Sequence, residues 1–287
     1  MSGVDDLKKS LQMHSNLQRI SHSIGQLYEL GFSTGYLLKK QTIKNPFNSY
    51  GRKFFSQADE DGLTIEIVKR LGLDPNRHLF AEFGVGDGSE CNTLILGALG
   101  FSGFWSGDNK LCFDFQDLRR LKYIQGWITL ENIGAIIRDG MSSFNGAGND
   151  GLKVISLDLD GNDYFLVKEI LKDHTPDLFI VEYNALFPPP VRFCIDYDPE
   201  HRWNGDDYFG CSLQTYCDLF EDRGYFLVCC NLHTGVNAFY VRKEYRDKFS
   251  EVPENVSDLF VDASYVLPPN HSFHRKSPRT LRKLFEG

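Results

Sequence analysis

The chain has 287 residues, a formal net charge of −8 and 41% hydrophobic residues, enough for one large α/β domain with extensions or two small domains. The acidic balance argues against broad, sequence-independent nucleic-acid binding, which needs a basic field. The seven cysteines are odd in number and contain no CxxC spacing, which argues against a disulfide framework or a zinc knuckle and for buried thiols in a reducing compartment.

Leucine and isoleucine recur at helical spacing from Leu7 to Leu37, so residues 4–40 are expected to be helical. Pro46 and Gly51 mark 44–55 as a connector. Residues 59–71 read as a helix, with acids in the first turn and basic residues in the last. The pattern then changes to short apolar runs alternating with amphipathic ones. Strands are expected at 78–84, 101–108, 127–133, 153–160 and 177–184, with helices at 89–100, 114–126 and 163–173. A long aromatic and proline-rich loop (184–210) follows, then a helix at 212–224 and strands at 225–232 and 237–243.

Strands alternating with helices predict a doubly wound, mostly parallel α/β sheet. The last two strands are joined by only about four residues, too few for a parallel crossover, so the series is expected to end antiparallel. This predicts a helical extension at 1–50, for capping the site or forming a homo-oligomer, a central domain at 51–243 and a C-terminal extension at 244–287. No stretch is apolar enough to span a bilayer and the N-terminus lacks a signal-peptide core, so a cytoplasmic protein is expected.

Two motifs carry chemistry. "EFGVGDG" (82–88) places Gly84, Gly86 and Gly88 between a strand and a helix, where bare backbone and free amides can cradle a ligand. Asp108 ends the next strand, 24 positions after Gly84, where an acid accepts hydrogen bonds from a ribose. The spacing is GxGxG rather than GxGxxG, and Glu82 and Asp87 would repel a pyrophosphate. They suit a nucleoside bearing an ammonium group, such as S-adenosylmethionine.

The second motif, "LDLDGNDY" (157–164), ends an apolar strand in Asp158 and Asp160, on one face with Cα atoms ~6.6 Å apart. Glu182 and Asn184 end the neighbouring strand, and the four residues form an oxygen-donor set suited to Mg²⁺ or Mn²⁺. The arrangement is loosely similar to the metal site of catechol O-methyltransferase. Without metal, Asp158 or Asp160 would act as general base or cap the next helix. His233, in the turn before the last strand, is a second candidate proton acceptor. In the long loop, Tyr197, His201, Arg202, Trp203 and Tyr208 are candidates for stacking on a sugar or contacting phosphates. Five basic residues between 271 and 283 are a candidate phosphate or acidic-partner contact, or simply a solvated face.

Taken in order, "FSQADEDG", "FAEFGVGDG", "GFWSGD", "ISLDLDGNDY", "VEYN" and "GVNAFYVRK" resemble a bacterial family of S-adenosylmethionine-dependent methyltransferase-like proteins near the FkbM group. The resemblance covers about residues 54–243. It implies a Rossmann-like seven-stranded sheet with its last strand antiparallel, and methyl transfer to a hydroxyl of a small polar acceptor such as a sugar. It further implies that Glu82, Gly84 and Gly86 hold the amino-acid end of the cofactor and Asp108 the ribose. Asn132 and Ile133 would flank the adenine, and Gln57, Glu60 and Asp61 would close over the site. "DLDGN" also resembles the motif of haloacid-dehalogenase-type phosphatases, and "DLD" the metal site of nucleotide-sugar glycosyltransferases. NAD-dependent oxidoreduction and a non-catalytic binding module complete the alternatives.

Overall fold

The computed structural model describes residues 2–114, 118–144, 151–264 and 274–286. It divides into two compact units, Met1–Thr42 and Ile43–Gly287. The first is one long helix, α1 (Ser2–Thr42). None of the described helices is long and apolar enough to cross a membrane.

The second unit opens with a 3₁₀ turn (Pro46–Tyr50) that belongs to the sheet rather than to the preceding helix. Asn45 and Asn48 donate side-chain hydrogen bonds to the carbonyls of Val228 (2.9 Å) and Cys230 (2.7 Å). The next helix, α2 (Glu60–Leu71), ends at Gly72 in the left-handed conformation. A seven-stranded sheet follows, formed by β1 (Leu79–Phe83), β2 (Ser102–Gly107), β3 (Leu121–Gln125), β4 (Leu152–Leu157), β5 (Leu178–Glu182), β6 (Tyr225–Cys230) and β7 (Asn237–Arg242). Around it lie α3 (Leu94–Ala98), α4 (Ile133–Ser142), α5 (Asp163–Asp173), α6 (Leu213–Asp222), α7 (Val256–Leu259) and α8 (Pro278–Phe285).

The strand order is β3-β2-β1-β4-β5-β7-β6. The first five strands are parallel, and β7 inserts between β5 and β6, antiparallel to both. This is the expected Rossmann-like sheet with an antiparallel last strand. Large aromatics fill its core, including Trp105, Phe104, Phe179 and Phe239, and Phe220 stacks on Tyr240 with ring centroids 4.0 Å apart.

Three local expectations change. The expected helix at 114–126 is wrong over its described C-terminal part, which is strand β3, and the expected strand at 127–133 is a connector leading into α4. The cause is the exposure of β3, which β6 at the opposite edge does not share. β3 pairs with β2 alone and is half exposed, so it carries polar residues that mimic an amphipathic helix. The expected helix at 89–100 shrinks to α3. The amides of Asn92 and Thr93 are drawn to the Glu82 carboxylate at 2.8 and 2.9 Å, so the chain turns there before it coils.

Candidate functional site

In a doubly wound sheet, ligands bind beyond the carboxyl ends of the strands, where the chain reverses its direction of winding. Here that point lies between β1 and β4. The Asp158 amide donates to the Phe83 carbonyl (3.0 Å) and the Gly84 amide to the Ser106 carbonyl (2.8 Å), carrying the sheet pairing into both loops. A Cβ on Gly84 would land on the Asp158 carbonyl, so only glycine permits this approach of the two backbones. Gly86, also at positive φ (55°), faces open space. A cavity of about 310 Å³ lies above it, of a size suited to a small ligand.

Gly84, Gly86, Asp108, Asp158 and Asp160 all line this cavity, so the fold brings together both motifs and the distal acid. The residues after β3 that reach it are Gly126, Trp127 and Ile128 rather than Asn132 and Ile133. Asn132 precedes α4, where its side chain joins the Thr129 amide to the Trp127 carbonyl, and Ile133 is buried.

The carboxylates share a face of the sheet. Ser156 pairs with Ile180 across β4 and β5, so Asp158 and Glu182, two residues further along each strand, project the same way. Oxygens of Asp158, Asp160 and Glu182 all lie within 4.8 Å of one another. Burial, followed by the charge of Asp160, holds the Asp158 carboxyl well above its ordinary range. Burial and then Asp158 do the same to Glu182. Burial also raises Asp160, against the opposing influence of His201. Asp160 itself adopts φ 53°, a left-handed conformation that aspartate tolerates. Such a donor set fits a hard divalent cation, and without one the carboxylates must share protons.

Asn184 does not join them. Its amide nitrogen donates to the carbonyls of Asp207 (3.1 Å) and Phe209 (3.0 Å), and its oxygen accepts from Leu186 (3.2 Å), so it braces the following loop. Glu82 is likewise engaged, accepting from Asn92 N, Thr93 N and Thr93 Oγ1. Burial pushes its carboxyl up to about 7 against these bonds.

Residues 59–61 anchor α2 rather than reaching the cavity. Asp59 takes the amides of Leu232 and His233, and Glu60 takes Ala58 N and Asn237 Nδ2. Asp61 Oδ2 accepts from the amides of Phe54, Phe55 and Ser56 at 2.7–2.9 Å. Gln57 is exposed, and its carbonyl accepts from Lys53. His233 is half-buried in the β6–β7 turn and does not line the cavity.

The loop between β5 and α6 supplies the remaining wall. It has a small core of its own, in which Phe187 stacks on Phe193 at 4.0 Å beside Ile195 and Tyr208. It crosses the strand ends and is fastened on both sides. Asn162 donates to the Asp198 carbonyl (2.7 Å), Trp127 Nε1 to the Pro199 carbonyl (2.7 Å) and the Leu130 amide to Tyr197 Oη (3.2 Å). His201, Arg202 and Trp203 thereby enter the lining. His201 packs on Gly161, where a Cβ would strike its ring. Burial, then the nearby Arg279, lowers its pKa and favours the neutral imidazole. Arg202 lies over the Trp127 ring at 4.1 Å and pairs with Asp108 at 3.4 Å.

The basic C-terminal segment holds this loop from outside. Asp207, fully buried, accepts from Ser277 N (2.8 Å) and Thr280 Oγ1 (2.8 Å) and pairs with Lys276 (3.3 Å). Arg279 lies over the Tyr208 ring and Lys283 pairs with Asp196. Of the residues expected between 271 and 283, those at 271–273 lie outside the described residues. No known family model matches the chain, and no curated protein matches it.

Proposed function

We propose that the chain is an S-adenosylmethionine-dependent methyltransferase acting on a hydroxyl of a small polar acceptor, a sugar or nucleotide-linked sugar, in the cytoplasm. The observation that carries this reading is the composition of one cavity at the sheet's switch point. A glycine turn, a distal acid and a carboxylate pair line it together, and its one arginine is already paired with Asp108. A diphosphate cofactor would meet net negative charge there, whereas a sulfonium nucleoside carrying an ammonium group would be attracted.

In this reading the Gly84–Gly86 backbone follows the cofactor, Asp108 accepts from the ribose and Trp127 and Ile128 flank the adenine. The cofactor supplies the methyl group on a positively charged sulfur. Asp158 and Asp160 face the acceptor and take its hydroxyl proton. The lining side chains of His201 and Trp203 orient the acceptor and help exclude water. Asp158, Asp160 and Glu182 would hold Mg²⁺ or Mn²⁺, which would favour ionisation of the hydroxyl.

Calorimetry with S-adenosylhomocysteine, NAD and a UDP-sugar tests the reading, each with chelator and with Mg²⁺ or Mn²⁺. The first should bind, and Asp108→Ala should weaken it by about tenfold or more, the loss of a hydrogen bond to ribose. Binding of NAD or the UDP-sugar in its place would refute methyl transfer. The UDP-sugar with metal would instead favour glycosyl transfer through the same acids. Methyltransferase turnover that is unchanged in chelator would remove the cation and leave the carboxylates as base.

A further inference from the structure

Two of the seven cysteines face each other across the neck of the loop that walls the cavity. Cys194 and Cys211 form an isolated antiparallel bridge, flanked by hydrogen bonds from Ser212 N to the Phe193 carbonyl (2.8 Å) and from Ile195 N to the Gly210 carbonyl (3.2 Å). Bonds carried by the residues on either side make this a non-hydrogen-bonded pair, the closer of the two antiparallel arrangements, with Cα atoms about 4.5 Å apart. A disulfide spans Cα separations of roughly 4.4–6.8 Å, so the backbone already stands where one would hold it. Among the described residues no other two cysteines are paired across strands; in β6, Cys229 and Cys230 stand opposite Phe239 and Ala238. The two thiols differ in access. Cys194 is half-buried and Cys211 is fully buried. Burial, then the adjacent Cys194 thiol, holds the Cys211 thiol well above its ordinary range, and the Tyr216 hydroxyl opposes them. Cys194 is therefore the sulfur a reagent can reach, and Cys211 is shielded from it. Between them lie residues 195–210, which bring His201, Arg202 and Trp203 to the cavity. Besides the two backbone bonds, the neck is held by Phe193 N to Ser212 Oγ (3.1 Å) and Thr215 Oγ1 to the Phe193 carbonyl (3.2 Å).

We propose that Cys194 and Cys211 are a reversible disulfide site, whose oxidation closes the neck covalently and restrains the cavity wall. The oxidant is a small-molecule disulfide. The Cys194 thiolate attacks one of its sulfurs, forming a mixed disulfide and expelling one thiolate, which takes up the proton that Cys194 gave up. Cys211 then loses its proton and attacks the Cys194 sulfur, expelling the second thiolate, which is protonated in turn. The protein loses two electrons and two protons, and the reagent is reduced to two thiols. An odd cysteine count without CxxC spacing is compatible with this, because the fold and not the sequence spacing joins the pair. The proposal does not depend on what the cavity binds.

Peptide mapping of the native full chain tests it, after equilibration with oxidised glutathione, alkylation and tryptic digestion without reduction. Cleavage after Arg192, Arg202 and Arg223 places Cys194 in peptide 193–202 and Cys211 in peptide 203–223. Mass spectrometry should find the two peptides joined, with fragmentation placing the link at Cys211 rather than Cys217, and dithiothreitol should release them. Cys211→Ala should leave Cys194 as a glutathione adduct with no such link. In the oxidised wild type, chymotryptic cleavage within 195–210, read on reducing gels, should slow by about tenfold or more, since a loop closed by a disulfide opens less readily. The Cys211→Ala variant should show no slowing. The link itself is read in the wild type, so it stands or falls without any variant. A Cys194 adduct that never passes to Cys211, or cysteines that stay unmodified at every ratio of oxidised to reduced glutathione, overturns the disulfide site. Unchanged cleavage in the linked protein overturns the restraint of the wall.

Discussion

At Gly84 the chain has no room for one more carbon, because the Asp158 backbone occupies the place a Cβ would take. At Gly86 a Cβ would meet nothing, so its glycine is required only for positive φ and for the approach of a ligand. The two positions therefore separate folding from binding. Gly84→Ala should destabilise the protein by several kcal/mol, about 2–4 from the forced parting of β1 and β4. Gly86→Ala should cost only about 1 kcal/mol, yet weaken binding of S-adenosylhomocysteine by about tenfold or more. Urea unfolding and calorimetry on both variants check this, and equal stability losses would contradict it. Glycine and aspartate motifs of this kind are legible because they act near their place in the chain. His201, Arg202 and Trp203 were visible only as members of an aromatic loop. Their arrival beside Asp108 and Asp160 depends on the hydrogen bonds from Trp127 to Pro199 and from Asn162 to Asp198, which span 72 and 36 residues of sequence.

Among the elements, periodicity located the buried strands, edge strand β6 included, and failed at β3, the half-exposed one. β1, β4 and β5 are covered on both faces and read as continuous apolar runs. β3, with Lys122 and Gln125 in "LKYIQ", reads equally well as a helix, and that ambiguity displaced the adenine-side residues by several positions. The C-terminal helix illustrates the opposite case, since its basic residues are plain in sequence but their acidic partners are not. Asp207 is the point through which α8 holds the cavity wall. Asp207→Ala leaves Ser277 N, Thr280 Oγ1 and Lys276 without their partner and should cost about 1–3 kcal/mol. The expected readout is faster proteolysis within 184–210 with the melting transition of the sheet lowered only modestly. Cleavage at the wild-type rate would show that α8 does not restrain the loop.

Across the whole molecule, acids buried along one edge of the sheet link stability to pH. Burial, then Asp59, raises Glu60 to about 7. Burial raises Glu82 to about 7, and burial against the amides of Gly161 and Leu159 raises Asp163 to about 6. The folded state thus retains protons that the unfolded chain releases near pH 4–4.5. These groups therefore favour the folded state below that range, and their contribution is lost as pH rises to about 7, by up to about 3 kcal/mol for each glutamate. Free energies of unfolding from urea titrations should fall from pH 5 to pH 7 and level off above. A rise across that interval would show that these carboxylates are ionised in the fold. The sequence by itself determined the buried strands and the helices between them outside the region of β3, the antiparallel finish and the positions of the glycine turn and the aspartate pair. Those features follow from local backbone preference and from the two-residue and 3.6-residue periods of burial. Only the tertiary structure decided that β7 enters between β5 and β6, that Glu182 joins the aspartates while Asn184 does not, and which loop closes the cavity. These outcomes rest on contacts between residues far apart in the chain, where the partner that satisfies a buried polar group is chosen by the packing of the whole.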